Sequence, residues 1–259
     1  MSQETIQVLH VDDEPGFAEL TETFLKRETD RFTVETATSA DKGFDIITDC
    51  PPDCVVSDYN MPGMDGIKFL RAVRDEYPNL PFILFTGRGS EEVASDAISA
   101  GATDYLQKQS GYDQYRLLAN RILNSVEQYR SEQKLRETQA EYAVVFENAQ
   151  NALLFVNVEN GEFRYQQCNP QAVELLGRDK AEIVGKSPRE VFGSENGRKI
   201  AGAYRKCVEQ RESVELIVTL DLPVDRVIRE YQVAPLQSDS GIKHLVVSCQ
   251  DITQRRERQ

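Results

Sequence analysis

Residues 6–15, IQVLHVDDEP, decide how the chain folds. Ile6–Val11 reads as a buried strand of a length typical of sheet cores. It stops on two aspartates, and Pro15 then opens a helix, where a missing N–H costs nothing. Gly16–Arg27 carries Phe17, Leu20, Phe24 and Leu25 at helical spacing. The same strand-then-helix unit repeats outward. Phe32–Ala37 alternates as a strand, and Ser39 caps a helix to about Thr48. Asp53–Asp58 (DCVVSD) follows Pro51-Pro52 as a buried strand, and Gly66–Tyr77 is a helix ended by Pro78. Phe82–Thr86 is a strand, Ser90–Ala100 a helix stopped by Gly101, and Tyr105–Gln107 a short fifth strand. Tyr112 starts a long helix. Five strands alternating with five helices imply an α/β fold: a doubly wound, five-stranded parallel sheet covered on both faces. Ligands of such sheets sit beyond the carboxyl ends of the strands.

Composition narrows the function. The 259 residues suit two domains, and 43 Asp/Glu against 30 Lys/Arg give a net charge of −13. Residues 1–130 hold 23 acidic and 12 basic side chains, so most of the excess lies there. Such a surface repels phosphate backbones and anionic lipid, which argues against direct nucleic-acid or membrane-surface binding. No apolar run approaches the roughly 20 residues of a membrane span, and no signal peptide is visible at the start. Cys50, Cys54, Cys168, Cys207 and Cys249 form an odd set with no C-x-x-C pair, which suits free thiols in a cytoplasmic protein. Arg outnumbers Lys by 20 to 10; a high-salt cytoplasm and compositional drift both account for that bias.

The polar residues at the strand ends carry the chemistry. Asp12 and Asp13 follow the first strand, Asp58 the third, Thr86 the fourth and Lys108 the fifth. Three carboxylates converging on one edge repel one another and call for a hard dication. Mg²⁺ fits better than Zn²⁺, which would want His or Cys. With one cation from Lys108 and a hydroxyl from Thr86, the pocket suits a phosphoryl group attacked in line by a carboxylate. Asp13 or Glu14 taken alone reads equally as a helix cap or a surface charge. A dehalogenase-type phosphatase would need a second Asp two places after its nucleophile, where Asp58 is followed by Asn60.

The stretches VLHVDDEP, VVSDYNMPGMDG, FILFTG and DYLQK make residues 4–128 resemble a response-regulator receiver domain of two-component signalling, with its flavodoxin-like sheet. The resemblance implies that Asp58 is the phosphoacceptor. It implies a metal site of Asp12, Asp13, Asp58 and the Asn60 backbone carbonyl, with Asp12 in the surrounding acidic shell. Thr86 and Lys108 would contact the phosphoryl oxygens, with Thr86 and Tyr105 forming the conformational switch. The donor would be a sensor histidine kinase. The chain departs from the family pattern at Gln109, where a cis-proline usually follows the lysine, and at Gly87, which opens the pocket. Neither removes a chemical group.

Beyond the receiver the period changes. Leu153–Val158 and Arg164–Cys168 flank an Asn160-Gly161 hairpin turn. Helical pieces follow at Pro170–Leu176, Lys180–Val184, Pro188–Phe192 and Glu195–Glu209. Three strands close the region: Glu215–Leu220, Val227–Pro235 and Lys243–Gln250. That order implies an α+β domain with an antiparallel five-stranded sheet. The pieces VFENAQNALLFVN, YQQCNPQAVELLGRDKAEIVGKSPREVF and VVSCQDITQRR resemble a PAS domain. Its ligand is unknown from the sequence. Haem would need a helical-side His, whereas His10 and His244 lie on strands. A flavin adduct would need a cysteine in a different context from Cys168, which reads as a small core residue.

The expected organisation is a receiver over residues 1–128, a helical linker over 129–148 and a PAS sensor or interaction domain over 149–259. From Tyr112 to Asn148 no Pro or Gly interrupts the helical pattern. Tyr115, Leu118, Ile122, Val126 and Tyr129 form one apolar stripe, resumed by Leu135, Tyr142, Val145 and Ala149 after the polar gap RSEQK. A dimerising linker and a solvated spacer both fit this pattern. No DNA-binding helix-turn-helix follows the receiver, and no kinase histidine or ATP-binding glycine boxes are present. The chain is therefore read as a phosphoacceptor with self-catalysed phosphoryl transfer and hydrolysis, relaying the change through the linker, rather than as an enzyme. The alternatives are the N-terminal receiver–PAS part of a longer sensor histidine kinase, and an interaction scaffold that is not phosphorylated.

Overall fold

The computed structural model describes residues 4–87, 91–109, 111–221, 226–238 and 241–257. The first half holds β1 (Ile6–Val11), α1 (Pro15–Glu28), β2 (Phe32–Ala37), α2 (Ala40–Asp49), β3 (Cys54–Ser57), α3 (Gly66–Glu76), β4 (Phe82–Thr86), α4 (Glu91–Ser99), β5 (Asp104–Gln107) and α5 (Asp113–Glu147). The strands run parallel in the order β2-β1-β3-β4-β5, so the expected doubly wound sheet is the one observed. The expected helix start at Ser90 lies outside the described residues.

Alternation along β1 explains the two-sided core. Ile6 and Val8 point to one face, packing with Leu25 of α1 and with Leu118, Ile122 and Val126 of α5. Leu9 and Val11 point to the other, against Ala40 and Ile47 of α2 and Phe69, Leu70 and Val73 of α3. Each buried side chain of this size contributes roughly 1.5–3 kcal/mol relative to exposure. Two polar caps set helix starts: Ser39, as expected, accepts from Lys42 N, and Asp65, a cap the sequence reading did not single out, accepts from Lys68 N at 2.8 Å.

The chain divides into two units, Met1–Glu137 and Thr138–Gln259. The first part of α5 spends its apolar stripe inside the first unit. Tyr115, Leu118, Ile122 and Val126 are buried there. Arg130 then grips the entry side of the sheet: it contacts Asp53 Oδ1 at 2.8 Å, Glu4 Oε2 at 3.2 Å and the Thr5 carbonyl at 3.0 Å. Leu135, Tyr142 and Val145 are exposed.

The second unit holds β6 (Ala152–Glu159), β7 (Glu162–Cys168), α6 (Pro170–Leu176), α7 (Lys180–Ile183), α8 (Pro188–Gln210), β8 (Val214–Asp221), β9 (Arg226–Ser238), β10 (Gly241–Asp251) and α9 (Thr253–Glu257). The antiparallel sheet has the order β7-β6-β10-β9-β8. Asn160 and Gly161 both take positive φ, 50° and 79°, as a tight hairpin turn requires. The two helices expected over 188–209 are both present within α8, divided at Gly193, whose φ of 77° no helix tolerates. β9 continues past Pro235, where the sequence ends it. Pairing with β8 stops at Val233, so the proline interrupts no ladder on that side.

Asn169 is fully buried, and both ends of its amide are hydrogen-bonded. Its Oδ1 accepts from Ala172 N and Leu153 N, each at 2.9 Å, and its Nδ2 donates to the Asn151 carbonyl at 2.9 Å. At the other end Asp251 Oδ1 accepts from Thr253 N at 2.9 Å, while Ile228 N donates to Thr253 Oγ1 at 2.9 Å. These bonds pin the closing strand and α9 to β9. Among the described residues no helix is long and apolar enough to cross a membrane.

Candidate functional site

The carboxyl ends of β1, β3, β4 and β5 meet in a groove of about 330 Å³ walled by Asp12, Asp13, Glu14, Phe17, Asp58, Asn60, Gly87 and Lys108. Parallel pairing builds it. Asp12 N donates to Ala37 O at 3.0 Å, Asp58 N to Val11 O at 2.8 Å and Lys108 N to Thr86 O at 2.8 Å. Each polar residue is thus anchored one step beyond its strand.

Lys108 is the centre of the arrangement. Its Nζ lies 2.7 Å from Asp12 Oδ2 and 2.7 Å from Asp58 Oδ1. Asp12 is 1% exposed, and its other oxygen accepts from Glu14 N at 2.9 Å, which shapes the turn into α1. Asp58 Oδ2 accepts from Asn60 N at 2.6 Å. The buried carboxylates are therefore hydrogen-bonded and charge-compensated, as burial demands. Asp13 is half-buried on the groove wall.

Thr86 is fully buried at the end of β4, behind the groove wall. Tyr105 is half-buried on β5; its hydroxyl is enclosed without a hydrogen-bond partner among the described residues, and burial raises its pKa. Gly87 leaves the groove open beside Lys108: a Cβ there would lie 3.9 Å from Lys108 Cδ. No cis peptide bond occurs among the described residues.

Two further neighbours complete the site. His10, read from the sequence as a strand residue and not as a ligand, is fully buried under the site with Nε2 3.8 Å from Asp12 Oδ2. Burial, and then the Lys108 charge, lower its pKa to about 3, so the imidazole stays neutral. Phe17, legible only as an apolar helix residue, puts its ring 4.1 Å from Lys108 Nζ.

The donor set suits a hard cation. Among the described residues no three His, Cys, Asp or Glu side chains form a preformed metal cage. The groove instead offers carboxylates and open volume, and Mg²⁺ typically takes one or two carboxylates while retaining waters.

In the second unit large side chains pack between sheet and helices. Tyr165, Tyr204 and Tyr231 are among the largest fully buried side chains, and the Tyr165 and Tyr204 hydroxyls share a hydrogen bond of 3.0 Å. Cys168 is buried at the end of β7, and burial raises its pKa.

The first unit is thus an open α/β sheet with a lysine-bridged pair of aspartates at its strand ends. Comparison with known proteins carries this further. Residues 8–120 match the response regulator receiver domain family, and residues 146–257 match the PAS fold. The chain carries a receiver domain of two-component response regulators followed by a PAS domain. It is 32% identical over 122 residues to the response regulator Rre1 of Synechocystis sp., covering 46% of this chain and 52% of that protein. It is 35% identical over 86 residues to the DNA-binding transcriptional regulator NtrC of Klebsiella pneumoniae, covering 33% of this chain and 18% of that protein. The chain thus spans about half of one relative and under a fifth of the other. A crystal structure of a response regulator receiver domain protein from Clostridium thermocellum aligns with 48% of this chain at 28% identity, with a TM-score of 0.44.

Proposed function

We propose that the first unit accepts a phosphoryl group on Asp58. The observation that carries this reading is the single ammonium of Lys108 held 2.7 Å from both Asp12 and Asp58 in an open acidic groove. A carboxylate oxygen of Asp58 forms the new bond to phosphorus as the bond to the donor's leaving group breaks, and the leaving group departs with the electron pair. Lys108 sits where it can neutralise charge on a phosphoryl oxygen, and the Asn60 N–H fixes the second Asp58 oxygen. Asp12, Asp13, Asp58 and the Asn60 carbonyl would hold Mg²⁺, which when bound supplies charge stabilisation to the transferring phosphoryl oxygens. A sensor histidine kinase is the expected donor.

Thr86 and Tyr105 then act as the switch, Thr86 drawn toward the phosphoryl group and the already half-buried Tyr105 adjusting to its movement. The change passes through α5 to the PAS domain as a population shift. The domain limits are those read from the sequence, 1–128, 129–148 and 149–259. The exposed Leu135, Tyr142 and Val145 favour a homodimer formed through the linker and PAS domain. The protein acts as a cytoplasmic phosphoacceptor without direct nucleic-acid contact.

The test is intact mass and solution size after incubation with Mg²⁺ and acetyl phosphate, with Asp58→Asn in parallel. One added phosphoryl group on the wild type alone is expected. Equal addition to both proteins, or beryllofluoride that fails to bind the wild type, would refute the assignment.

A further inference from the structure

Lys108 is held on three sides, and only two of them are carboxylates. Its ammonium has three N–H donors. Asp12 and Asp58 take two directions at 2.7 Å each. The remaining side meets the Phe17 ring, whose centroid is 4.1 Å from Nζ; the Phe85 ring is farther, at 5.8 Å. A ring face within about 6 Å attracts a cation through its quadrupole.

The ring is itself fixed. Phe17 lies in the first turn of α1, where its N–H donates to Glu14 O at 3.0 Å. Its centroid is 5.9 Å from that of Phe85, 6.3 Å from that of Tyr115 and 6.3 Å from that of His10. Three elements besides α1 hold it, so it cannot swing out of the groove it walls. A platform locked by its own packing holds a reacting group in place far better than a free side chain does.

We propose that Phe17 is a positioning residue for phosphoryl transfer: its ring face keeps the Lys108 ammonium at the groove while the lysine exchanges Asp58 Oδ1 for an oxygen of the incoming phosphoryl group. The proposal rests on the reading of Asp58 as the acceptor. As the bond from Asp58 to phosphorus forms, the negative charge that attracts Lys108 passes from the Asp58 carboxylate to the phosphoryl oxygens. The ammonium must shift to follow it, and the ring face, with Asp12 2.7 Å away, keeps it at the groove while it does. Leucine at position 17 would preserve bulk and lose the attraction.

The test compares Phe17→Leu and Phe17→Tyr, each alone and with Lys108→Met, following Asp58 phosphorylation by acetyl phosphate with Mg²⁺ in the full chain. Phe17→Leu is expected to lower the limiting rate about three- to tenfold while moving half-saturation less, and Phe17→Tyr to stay within about twofold. With Lys108→Met in place, Phe17→Leu should have no further effect. Equal slowing by both Phe17 substitutions, or a Phe17→Leu effect that survives Lys108→Met, would overturn the proposal. A second readout needs no variant: lysine-labelled wild type should show the Lys108 ε-methylene protons displaced upfield by the ring current. An unshifted signal in the folded protein overturns the proposal. A wild type that accepts no phosphoryl group would overturn it together with the acceptor reading; that failure is told apart because the Lys108 ring-current shift would persist.

Discussion

Gly66 and Asp58 are in backbone contact, and the turn after the acceptor strand closes only because Gly66 has no side chain. A Cβ at Gly66 would run into the Asp58 carbonyl oxygen, and would lie 2.8 Å from Leu84 Cδ1 and 3.0 Å from Tyr59 Cα. The same glycine donates its N–H to Tyr59 O at 2.9 Å. Gly66→Ala must therefore push α3 away from β3. We expect a loss of about 1–3 kcal/mol in denaturant unfolding, together with slower phosphorylation because the Asp58 carboxylate is re-aimed. Unchanged stability would show that the turn yields more easily than its contacts indicate.

The sheet and the acidic groove were largely legible in the sequence, for a reason particular residues make plain. Asp12 and Asp58 each follow a short apolar run, Lys108 follows the shorter and more polar DYLQ, and parallel topology then brings all three ends to one edge. The bounds of β1, β2 and β4 agree with expectation because hard stops border them, such as Asp12 after Val11. What stayed hidden depends on tertiary register. The grip of Arg130 on Asp53 joins residues 77 positions apart and leaves no local pattern. Phe17 looks like any core residue of a helix until α1 is laid across β1, β4 and α5. The one signal within reach was an aromatic four places after Asp13, in the first turn beyond the groove.

The cysteines offer a direct check on the second-unit core. All five are free; Cys50 is exposed while Cys54, Cys168, Cys207 and Cys249 are buried. Burial pushes the Cys249 thiol up to about 11, which further suppresses its thiolate. A thiol reagent at pH 8 is expected to label Cys50 rapidly and the others only in denaturant. Rapid native labelling of Cys168 or Cys207 would reveal an accessible interior beside the tyrosines.

The start of α8 sets a pH dependence with a definite sign. Glu190 accepts from Ser187 N and Ser187 Oγ, each at 2.8 Å, and these bonds hold its carboxyl below the usual range. A folded value below the unfolded one, about 4.3 for glutamate, means the ionised cap stabilises above that pH. The contribution is lost as pH falls through the lowered folded value. Thermal melting of wild type and Glu190→Gln should differ most near neutrality and converge toward pH 3. A gap independent of pH would mean that the carboxylate charge contributes nothing to the cap.

The tyrosine pair in the second unit gives the sharpest stability cycle. Tyr165 and Tyr204 are fully buried, and their hydroxyls bond to one another at 3.0 Å. Burial raises the pKa of both, so neither ionises near neutral pH. Removing one hydroxyl strands the other in an apolar core, which costs about 1–3 kcal/mol, whereas removing both deletes the demand along with the bond. Tyr204→Phe and Tyr165→Phe should each destabilise by that amount, and the double variant by less than either single change. Additive losses would mean that each hydroxyl finds a separate partner, such as a buried water. The space around the tyrosines would then be roomy enough for a small polar ligand.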